Sequence, residues 1–298
     1  MEILTPSVFD TFRYILSALA LLWALGVIGQ AINTLIARLL QEGPLSTDFS
    51  VRITFALATG WTFLSLFILI LGSFDLLYPW LISISLLSLY IPSFLLVFSP
   101  TRCRDWGPVF QKNWLEFLPI FISIPAIFLA AIKPPGDWDD TMYHLPYAQF
   151  LLDNHAVGTD IYLRFPYMPM HIHLVFAWLL GIGPVYFLQA VNAGFVALTV
   201  IAIYGYTRRI SSSPFAGYFG VGAYLTVPFV ASLIGYAYVD HALGFFVLTS
   251  LMAVAFSQEE PHRQRLWLFL SATYLGEAIG IKFFGILAAL PILAWIVL

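Results

Sequence analysis

The chain is divided into long apolar runs, and this feature limits its fold more than any other. Hydrophobic residues make up 60% of the 298 positions and charged residues only 10%, against roughly 25% charged residues in a typical soluble domain. Several runs approach the roughly 17 to 25 residues that an α-helix needs to cross a bilayer. Because helices satisfy their own backbone groups in lipid, the pattern predicts an all-α integral membrane protein, a polytopic helical bundle of about nine spans.

The predicted spans are separated by polar stretches. They cover residues 12–36, 51–72, 79–99, 115–132, 185–207, 214–234, 241–257, 266–281 and 283–298. The apolar run 171–182 rises only about 18 Å as a helix, too little for a hydrocarbon core of about 30 Å. We therefore predict that this run and Tyr143–Asp153 form helices lying at the membrane interface.

Basic residues divide unequally between the two sides of the predicted bundle. If the loops alternate, one side carries Arg38, Arg52, Arg102, Arg104, Lys112, Arg208, Arg209, Arg263 and Arg265, and the other carries Arg13, Lys133, Arg164 and Lys282. By the positive-inside rule the first set marks the cytoplasm. The outer loop 133–184 then faces outside, which in a bacterium is the periplasmic side of the inner membrane.

Two adjacent carboxylates in this outer loop, Asp139 and Asp140, are the main chemical signal. They follow an apolar span, and a carboxylate at that place could act as general base on an incoming hydroxyl or amine. The alternative is that one of them caps the helix that contains Tyr147–Asp153. Capping accounts for one aspartate but not for a run of three that also includes Asp137.

Other polar side chains of the loop allow two interpretations. Tyr143 and His144 could orient an acceptor or transfer a proton, or they could anchor the loop at the interface. The histidines of the loop, which do not have a recognised zinc-ligand spacing, are His144, His155, His171 and His173. No cofactor is certain, but Asp139 or Asp140 could hold Mg²⁺ or Mn²⁺ together with a substrate phosphate.

Two further charges lie outside the carboxylate pair on the same predicted side. Asp240, in YAYVDHALGFF, could simply end two helices at water, or it could serve a function, because a carboxylate near a membrane is costly. Arg164, in YLRFPYMPM, could contact a phosphate.

Lys282 stands between the apolar stretches LGEAIGI and FFGILAAL. It could snorkel to the interface, or it could hold a phosphate as a point charge. Glu277 is the nearby charge that could pair with it. Gly276 and Gly280 form a GxxxG pattern, whose simplest interpretation is helix packing.

The order of these segments resembles the GT-C membrane glycosyltransferases. The resemblance rests on an outer loop with DDTMYHLPYAQFLL, then FPYMPMHIHLVFAWLLG, YVDHALGFF and LGEAIGIKFFG. It is greatest to the bacterial branch that includes the lipid A aminoarabinose transferases and the protein O-mannosyltransferase-like enzymes. It covers residues 115–298, which would be the catalytic transmembrane region, and leaves 1–114 as an N-terminal extension of three spans.

The resemblance implies roles for the candidate residues. Asp139 would be the catalytic carboxylate with Asp140 as its acidic neighbour, Asp240 would match the family's later aspartate, and Lys282 would lie near the lipid phosphate. The implied reaction moves a sugar from a polyprenyl-phosphate donor to a glycan, lipid or protein acceptor, with inversion. The implied partners are therefore this donor, membrane lipid and the acceptor.

Rival functions are a transporter or flippase of lipid-linked intermediates and a non-catalytic assembly partner. Transporters usually place their charges near the bilayer midplane in repeated halves, whereas these charges gather on one side. No P-loop, GxSxG motif or nucleic-acid patch is present in the sequence. Leu298 ends within an apolar run, and the family normally continues further, so we expect a C-terminal part to be missing.

Overall fold

The computed structural model describes residues 6–43, 48–98 and 118–297, and every regular element in these ranges is helical. The α-helices, numbered in chain order, are α1 (Val8–Leu39), α2 (Phe49–Ser73), α3 (Pro79–Val97), α4 (Leu118–Ala131), α5 (Leu145–Asn154), α6 (His171–Ile182), α7 (Val185–Ser211), α8 (Pro214–Leu225), α9 (Pro228–Leu233), α10 (Asp240–Glu259), α11 (Gln264–Ile281) and α12 (Gly285–Val297). A π-helical turn, Asp140–His144, leads into α5, and a 3₁₀ turn, Pro261–Arg263, precedes α11. Five helices, α1, α2, α3, α7 and α10, are long and apolar enough to cross a membrane. The predicted fold class, an all-α multi-pass membrane protein, is confirmed.

Helix α7 forms the centre of the bundle. Within its most apolar window 89% of the residues are buried inside the protein, against 17% for α3. It contacts α1, α2, α4, α8 and α10, whereas α3 packs mainly against α1. Large apolar side chains of α3 such as Trp80 and Ile84 are therefore left exposed, as expected of a helix that faces lipid.

The N-terminal helices α1 and α2 approach each other closely at two glycines. A Cβ atom at Gly29 would overlap the carbonyl of Ala56, and one at Gly60 would overlap the carbonyl of Leu25. Small residues allow this close approach between membrane helices. Helix α2 also contacts α6 and α7, so the N-terminal helices lie directly against the region that follows. The division into 1–114 and 115–298 stays a prediction.

Among the described residues, five of the nine predicted spans correspond to helices long and apolar enough to cross a membrane, and two predicted segments differ in their course. The predicted span 214–234 consists of two helices, because Pro228 lacks an N–H and holds Val227 in an extended conformation (φ −64°, ψ 117°). The segment 171–182 is one helix, α6, but it is buried among α2, α3, α5, α7 and α11 rather than exposed along one face. Its apolar composition therefore reflects protein packing.

Charged side chains join several helix ends at one end of the bundle. The bonds are Arg209 to Glu259 and Glu260, Arg263 to Glu260, and the Leu266 N–H to the Glu42 carboxylate. They bring together the C-terminal ends of α1, α7 and α10 and the start of α11, all on the predicted cytoplasmic side. Of the basic residues predicted for this side, Arg102, Arg104 and Lys112 lie outside the described residues, as does Cys103.

The outer loop lies at the opposite end of the bundle. It pairs with the α2–α3 connection through the Leu77 N–H and the His155 carbonyl, and with the last turn of α2 through the Val157 N–H and the Gly72 carbonyl, each at 2.9 Å. The polar loop and the arginine-rich end are therefore separated by the length of the helices. Which end faces the cytoplasm stays a prediction.

Candidate functional site

Asp139 lies where the chain enters the π-helical turn after α4. The turn widens the helix, with the Leu145 N–H bonded to the Asp140 carbonyl five residues earlier. Tyr143 follows Asp139 by about one turn, and its hydroxyl donates to Asp139 Oδ2 at 2.8 Å. Burial, and then this contact with Asp139, raise the pKa of Tyr143, so the phenol remains a protonated donor. Such π turns are frequent at functional sites.

A cavity of about 780 Å³ opens beside Asp139. Its lining residues are Trp138, Asp139, Tyr143, His144, Arg164, Phe165, Pro166, Tyr167, Met168, Pro169, His173, Val239, Ile281, Lys282, Phe283 and Phe284. One carboxylate and two cations are thus set in a wall that is largely aromatic and apolar. A cavity of this size and composition, with few polar groups, is typical of a ligand site.

Lys282 reaches this cavity from the end of α11. The helix ends at Ile281, and the backbone of Lys282 is extended (φ −154°, ψ 137°). Its Nζ donates to Asp240 Oδ1 at 2.8 Å, and both side chains are partly exposed. Asp240 is the first residue of α10, so the pair joins two helices at the end of the bundle that carries residues 133–184. The structure therefore brings together two charges that the sequence placed 42 positions apart.

Arg164 enters the cavity from the long segment between α5 and α6. Its guanidinium lies 4.2 Å from the centre of the Trp138 ring, the geometry of a cation–π contact. Phe165 next to it packs edge-on against Tyr143, with ring centres 5.0 Å apart. These contacts hold the segment against the helix turn that carries Asp139.

His144 and His173 form a buried pair at the cavity wall. Their Nδ1 and Nε2 atoms, respectively, are 2.8 Å apart, and both side chains are almost fully buried. Burial lowers the pKa of both rings, and for His144 the neighbouring His173 and Lys282 lower it further. Both imidazoles are therefore neutral at physiological pH, and one donates to the other.

Asp140 does not share the cavity with Asp139. It is completely buried, and its Oδ1 accepts the Ala237 N–H at 2.9 Å. Neither aspartate caps α5, because the side chain of Asp139 bonds to Tyr143 instead and the chain is already helical from Trp138. The alternative that one of them is a cap is therefore wrong.

Glu277 pairs with His171, not with Lys282. The His171 Nδ1 and Glu277 Oε2 atoms are 3.0 Å apart, and the Glu277 side chain is buried. The pair joins the start of α6 to α11. Gly280 lies under the His171 ring, so this glycine does serve packing, whereas a Cβ atom at Gly276 would meet no other atom within 4 Å.

Asp139 and Asp140 do not provide a joint cation site. The first carboxylate bonds to Tyr143 at the cavity and the second to a backbone N–H away from it. Within the described ranges, no group of three or more His, Cys, Asp or Glu side chains could hold a metal ion. That Asp139 or Asp140 holds Mg²⁺ or Mn²⁺ together with a substrate phosphate stays a prediction.

Three contacts of this site were not foreseen from the sequence: His144 with His173, Asp140 with Ala237, and Glu277 with His171. Each joins residues at least 29 positions apart. No local spacing marks such pairs. The only available signal was that each contains a polar side chain in an otherwise apolar environment, which must find a partner when it is buried.

The sequence of the C-terminal part of the chain is similar to a known class of protein. A family model described as dolichyl-phosphate-mannose-protein mannosyltransferase matches residues 156–298. That range contains Arg164, Asp240 and Lys282 and begins after Asp139. The class is the membrane glycosyltransferases that use a lipid-linked sugar donor.

Within that class, the chain belongs to the GT-C superfamily, and its residues 156–298 form a dolichyl-phosphate-mannose-protein mannosyltransferase domain. An uncharacterized protein of Shigella flexneri is 31% identical over 140 residues, which cover 45% of this chain and 70% of the relative. No solved structure is significantly similar. The GT-C resemblance is thereby confirmed, and the particular bacterial branch stays a prediction.

Proposed function

We propose that the protein transfers a sugar from a polyprenyl-phosphate carrier to an acceptor at the outer, periplasmic face of the bacterial inner membrane. The observation that carries the proposal is the combination of Asp139 with Lys282 and Arg164 in one cavity. A glycosyl transfer of this kind needs a base for the acceptor and positive charge for the departing phosphate. The base and the positive charge must both lie close to the sugar carbon that is transferred.

The proposed reaction is a single in-line displacement. Asp139 accepts the proton of the acceptor hydroxyl or amine while the acceptor oxygen or nitrogen bonds to the anomeric carbon. The bond between the carbon and the phosphate oxygen breaks at the same time, and the lipid phosphate leaves with the electron pair. Because attack and departure occur on opposite faces of the sugar ring, the anomeric configuration inverts.

Lys282 and Arg164 supply the charge for the leaving group. Negative charge on the phosphate increases as the bond breaks, so cations held in place before the reaction stabilise the transition state. Lys282 already pairs with a carboxylate, Asp240, and a phosphate oxygen is a chemically similar partner. Arg164 is held over Trp138 and lines the same cavity as Lys282.

Two of the lining residues suit a lipid-linked donor. Phe283 and Phe284 follow Lys282 directly and are strongly exposed, about two thirds of each side chain. Exposed apolar side chains of this kind are compatible with contact with lipid. A polyprenyl tail could therefore lie along this apolar surface while its phosphate reaches Lys282.

The donor is tested with the purified chain in liposomes that contain candidate acceptor lipids and proteins. One arm offers radiolabelled sugar on a polyprenyl phosphate, and the other offers the same sugar on a nucleotide. We expect label in the acceptor fraction only with the lipid-linked donor. Transfer from the nucleotide sugar alone contradicts the proposal.

The same assay separates the rival functions. We expect Asp139→Asn to lose nearly all transfer while expression and membrane insertion remain normal. Asp153→Asn is the matched control, because Asp153 is exposed and contacts Gln149 of its own helix. A flippase would instead move the lipid-linked sugar across the bilayer without transferring it. An assembly partner would do neither.

A further inference from the structure

The connection between α9 and α10, residues 234–239, is held from two opposite sides. Asp140 Oδ1 accepts the Ala237 N–H at 2.9 Å. Asn192 Nδ2 of α7 donates to the carbonyls of Tyr236 and Tyr238 at 2.8 and 2.9 Å. We call residues 234–239 the clamped loop.

The side chains of Asp140 and Asn192 both form hydrogen bonds with a single peptide group. The Tyr236 carbonyl and the Ala237 N–H belong to the same peptide bond, and in a trans peptide they point in opposite directions. Asn192 holds the oxygen and Asp140 holds the hydrogen, so this peptide plane cannot rotate without loss of one bond. Ala237 is fully buried, which excludes water as a substitute partner.

The backbone around this peptide is also closely confined. Gly235 has a φ of +87°, and a Cβ atom there would lie 2.8 Å from the Ala131 backbone at the end of α4. Lys133 Nζ lies 3.5 Å from the centre of the Tyr236 ring. The loop is therefore packed against the segment that leads into Asp139 and Asp140.

The clamped loop leads directly to Asp240. Only two residues separate Ala237 from this aspartate, whose carboxylate accepts from Lys282 at 2.8 Å. On the other side of the contact, Asp140 is the neighbour of Asp139 in the chain. The hydrogen bond from the Ala237 N–H to Asp140 thus connects the chain at the proposed base, Asp139, with the chain at the proposed phosphate-binding pair.

We propose that Asp140 is a positioning residue that holds the clamped loop and so fixes the Asp240–Lys282 pair relative to Asp139. It acts through Ala237 and does not touch the substrate. This inference rests on the proposed function for its catalytic consequence, but not for the clamp itself. The two adjacent aspartates then have different roles: Asp139 faces the cavity, and Asp140 positions the residues around it.

Two substitutions at Asp140 distinguish these roles. Asp140→Asn keeps the acceptor oxygen for Ala237, whereas Asp140→Leu removes it. Asn192→Leu removes the bond to the Tyr236 carbonyl of the same peptide group. It replaces Asp140→Leu in the test if that variant does not fold. Asp153→Asn is the control for loss of an outer-loop carboxylate.

Hydrogen–deuterium exchange of the clamped loop in the full-length chain measures the clamp without any enzyme assay. We expect exchange at the wild-type rate in Asp140→Asn and in the control. We expect roughly tenfold faster exchange in Asp140→Leu, which loses the acceptor of the Ala237 N–H, and in Asn192→Leu, which loses the donor to the Tyr236 and Tyr238 carbonyls. Unchanged exchange in the folded Leu variants overturns the clamp.

Donor kinetics then test the positioning role. We expect KM for the polyprenyl-phosphate sugar to rise about tenfold in the Leu variants, and to stay within about threefold of wild type in Asp140→Asn. Loss of turnover in Asp140→Asn equal to that in Asp139→Asn, with the loop still protected, overturns the assignment. If wild-type protein transfers no sugar from this donor, the proposed function fails while the exchange result still decides the clamp.

Discussion

Lys282 Nζ lies 2.8 Å from Asp240 Oδ1 at the rim of the cavity, and neither side chain is sequestered from solvent. An ion pair with this exposure contributes little to stability, in general about 0 to 1 kcal/mol. The lysine can therefore exchange its carboxylate partner for a phosphate at small cost. In the proposed function, this exchange gives the pair a role in donor binding that a fully buried salt bridge would not have.

Replacement of Lys282 is expected to affect donor binding and rate together. In Lys282→Ala we expect KM for the lipid-linked donor to rise by about tenfold and kcat to fall as well, because the ammonium acts on both the bound and the departing phosphate. Steady-state kinetics with varied donor measure both quantities. Arg13→Ala is the control, since Arg13 is an exposed cation that pairs with Asp10. An unchanged KM in Lys282→Ala would show that the phosphate binds elsewhere.

Asp139 and Tyr143 should differ sharply in their effect on turnover. Loss of a general base typically costs about 10²- to 10⁴-fold in rate, so Asp139→Asn should lower kcat by that order with little change in donor KM. Tyr143→Phe removes only the hydroxyl that donates to Asp139 at 2.8 Å, and we expect a loss of about tenfold or less. Wild-type turnover in Asp139→Asn would remove the base from the mechanism.

Much of the fold could be predicted because it follows from local properties of the chain. The runs that became α1, α2 and α7 are long, apolar and bounded by polar residues, and a bilayer leaves them few alternatives to a helix. The break before Pro228 was missed because flanking residues are as apolar as those of a continuous span. The prediction that α6 lies at the interface is wrong because sequence does not distinguish an apolar surface that faces lipid from one that faces protein.

The site could be predicted only in part, for a similar reason. Asp139 and Lys282 stand out because charges are rare in this chain. Alternation of the loops between the predicted spans places both residues on the same side of the membrane. The partner of Glu277 depends on which helix lies opposite, and α6 brings His171 to it, while Lys282 lies past the end of α11 in extended backbone. Such contacts are set by tertiary packing and leave no periodic pattern.

The two glycines of α11 should respond differently to the same substitution. A Cβ atom at Gly280 would overlap the His171 ring and disturb its bond to Glu277, whereas Gly276 has open space. We expect Gly280→Ala to destabilise the protein by about 1 to 3 kcal/mol, and Gly276→Ala to be neutral or up to about 1 kcal/mol more stable. Thermal unfolding in one detergent compares the two. Equal effects would contradict the packing of His171 against Gly280.

The buried carboxyl of Asp140 should make stability depend on pH. Burial raises the pKa of Asp140 to about 6 from its ordinary value of 3.8, opposed by the N–H groups of Ala237 and Gly136 and by Lys133, and supported by Asp137. The folded state then holds this proton more tightly than the unfolded state. Its stabilising contribution is present below about pH 4 and is lost as the pH rises through about 6, by about 3 kcal/mol in total.

The difference between wild type and Asp140→Asn isolates this effect from all other titrating groups. We expect the melting temperature of wild type to fall by several degrees relative to the variant between pH 4 and pH 7, since the amide cannot ionise. Scanning fluorimetry in a single detergent over this range measures it. A difference that stays constant with pH would show that Asp140 ionises without penalty in the folded protein.

The side of the membrane that holds the cavity can be tested with two single cysteines. The unequal distribution of arginine and lysine predicts that the outer loop faces the outside and the end of α7 faces the cytoplasm. Gly158 lies in that loop, where a Cβ atom would make only ordinary contacts of 3.5 Å and more with Phe150, and Ser212 is exposed just after α7. In a Cys103→Ser background, we expect Gly158→Cys to react with an impermeant thiol reagent in intact cells. Ser212→Cys should react only after the cells are permeabilised. The reverse pattern would place the cavity in the cytoplasm, where nucleotide sugars are available, and the argument for a donor that arrives through the bilayer would lose its basis.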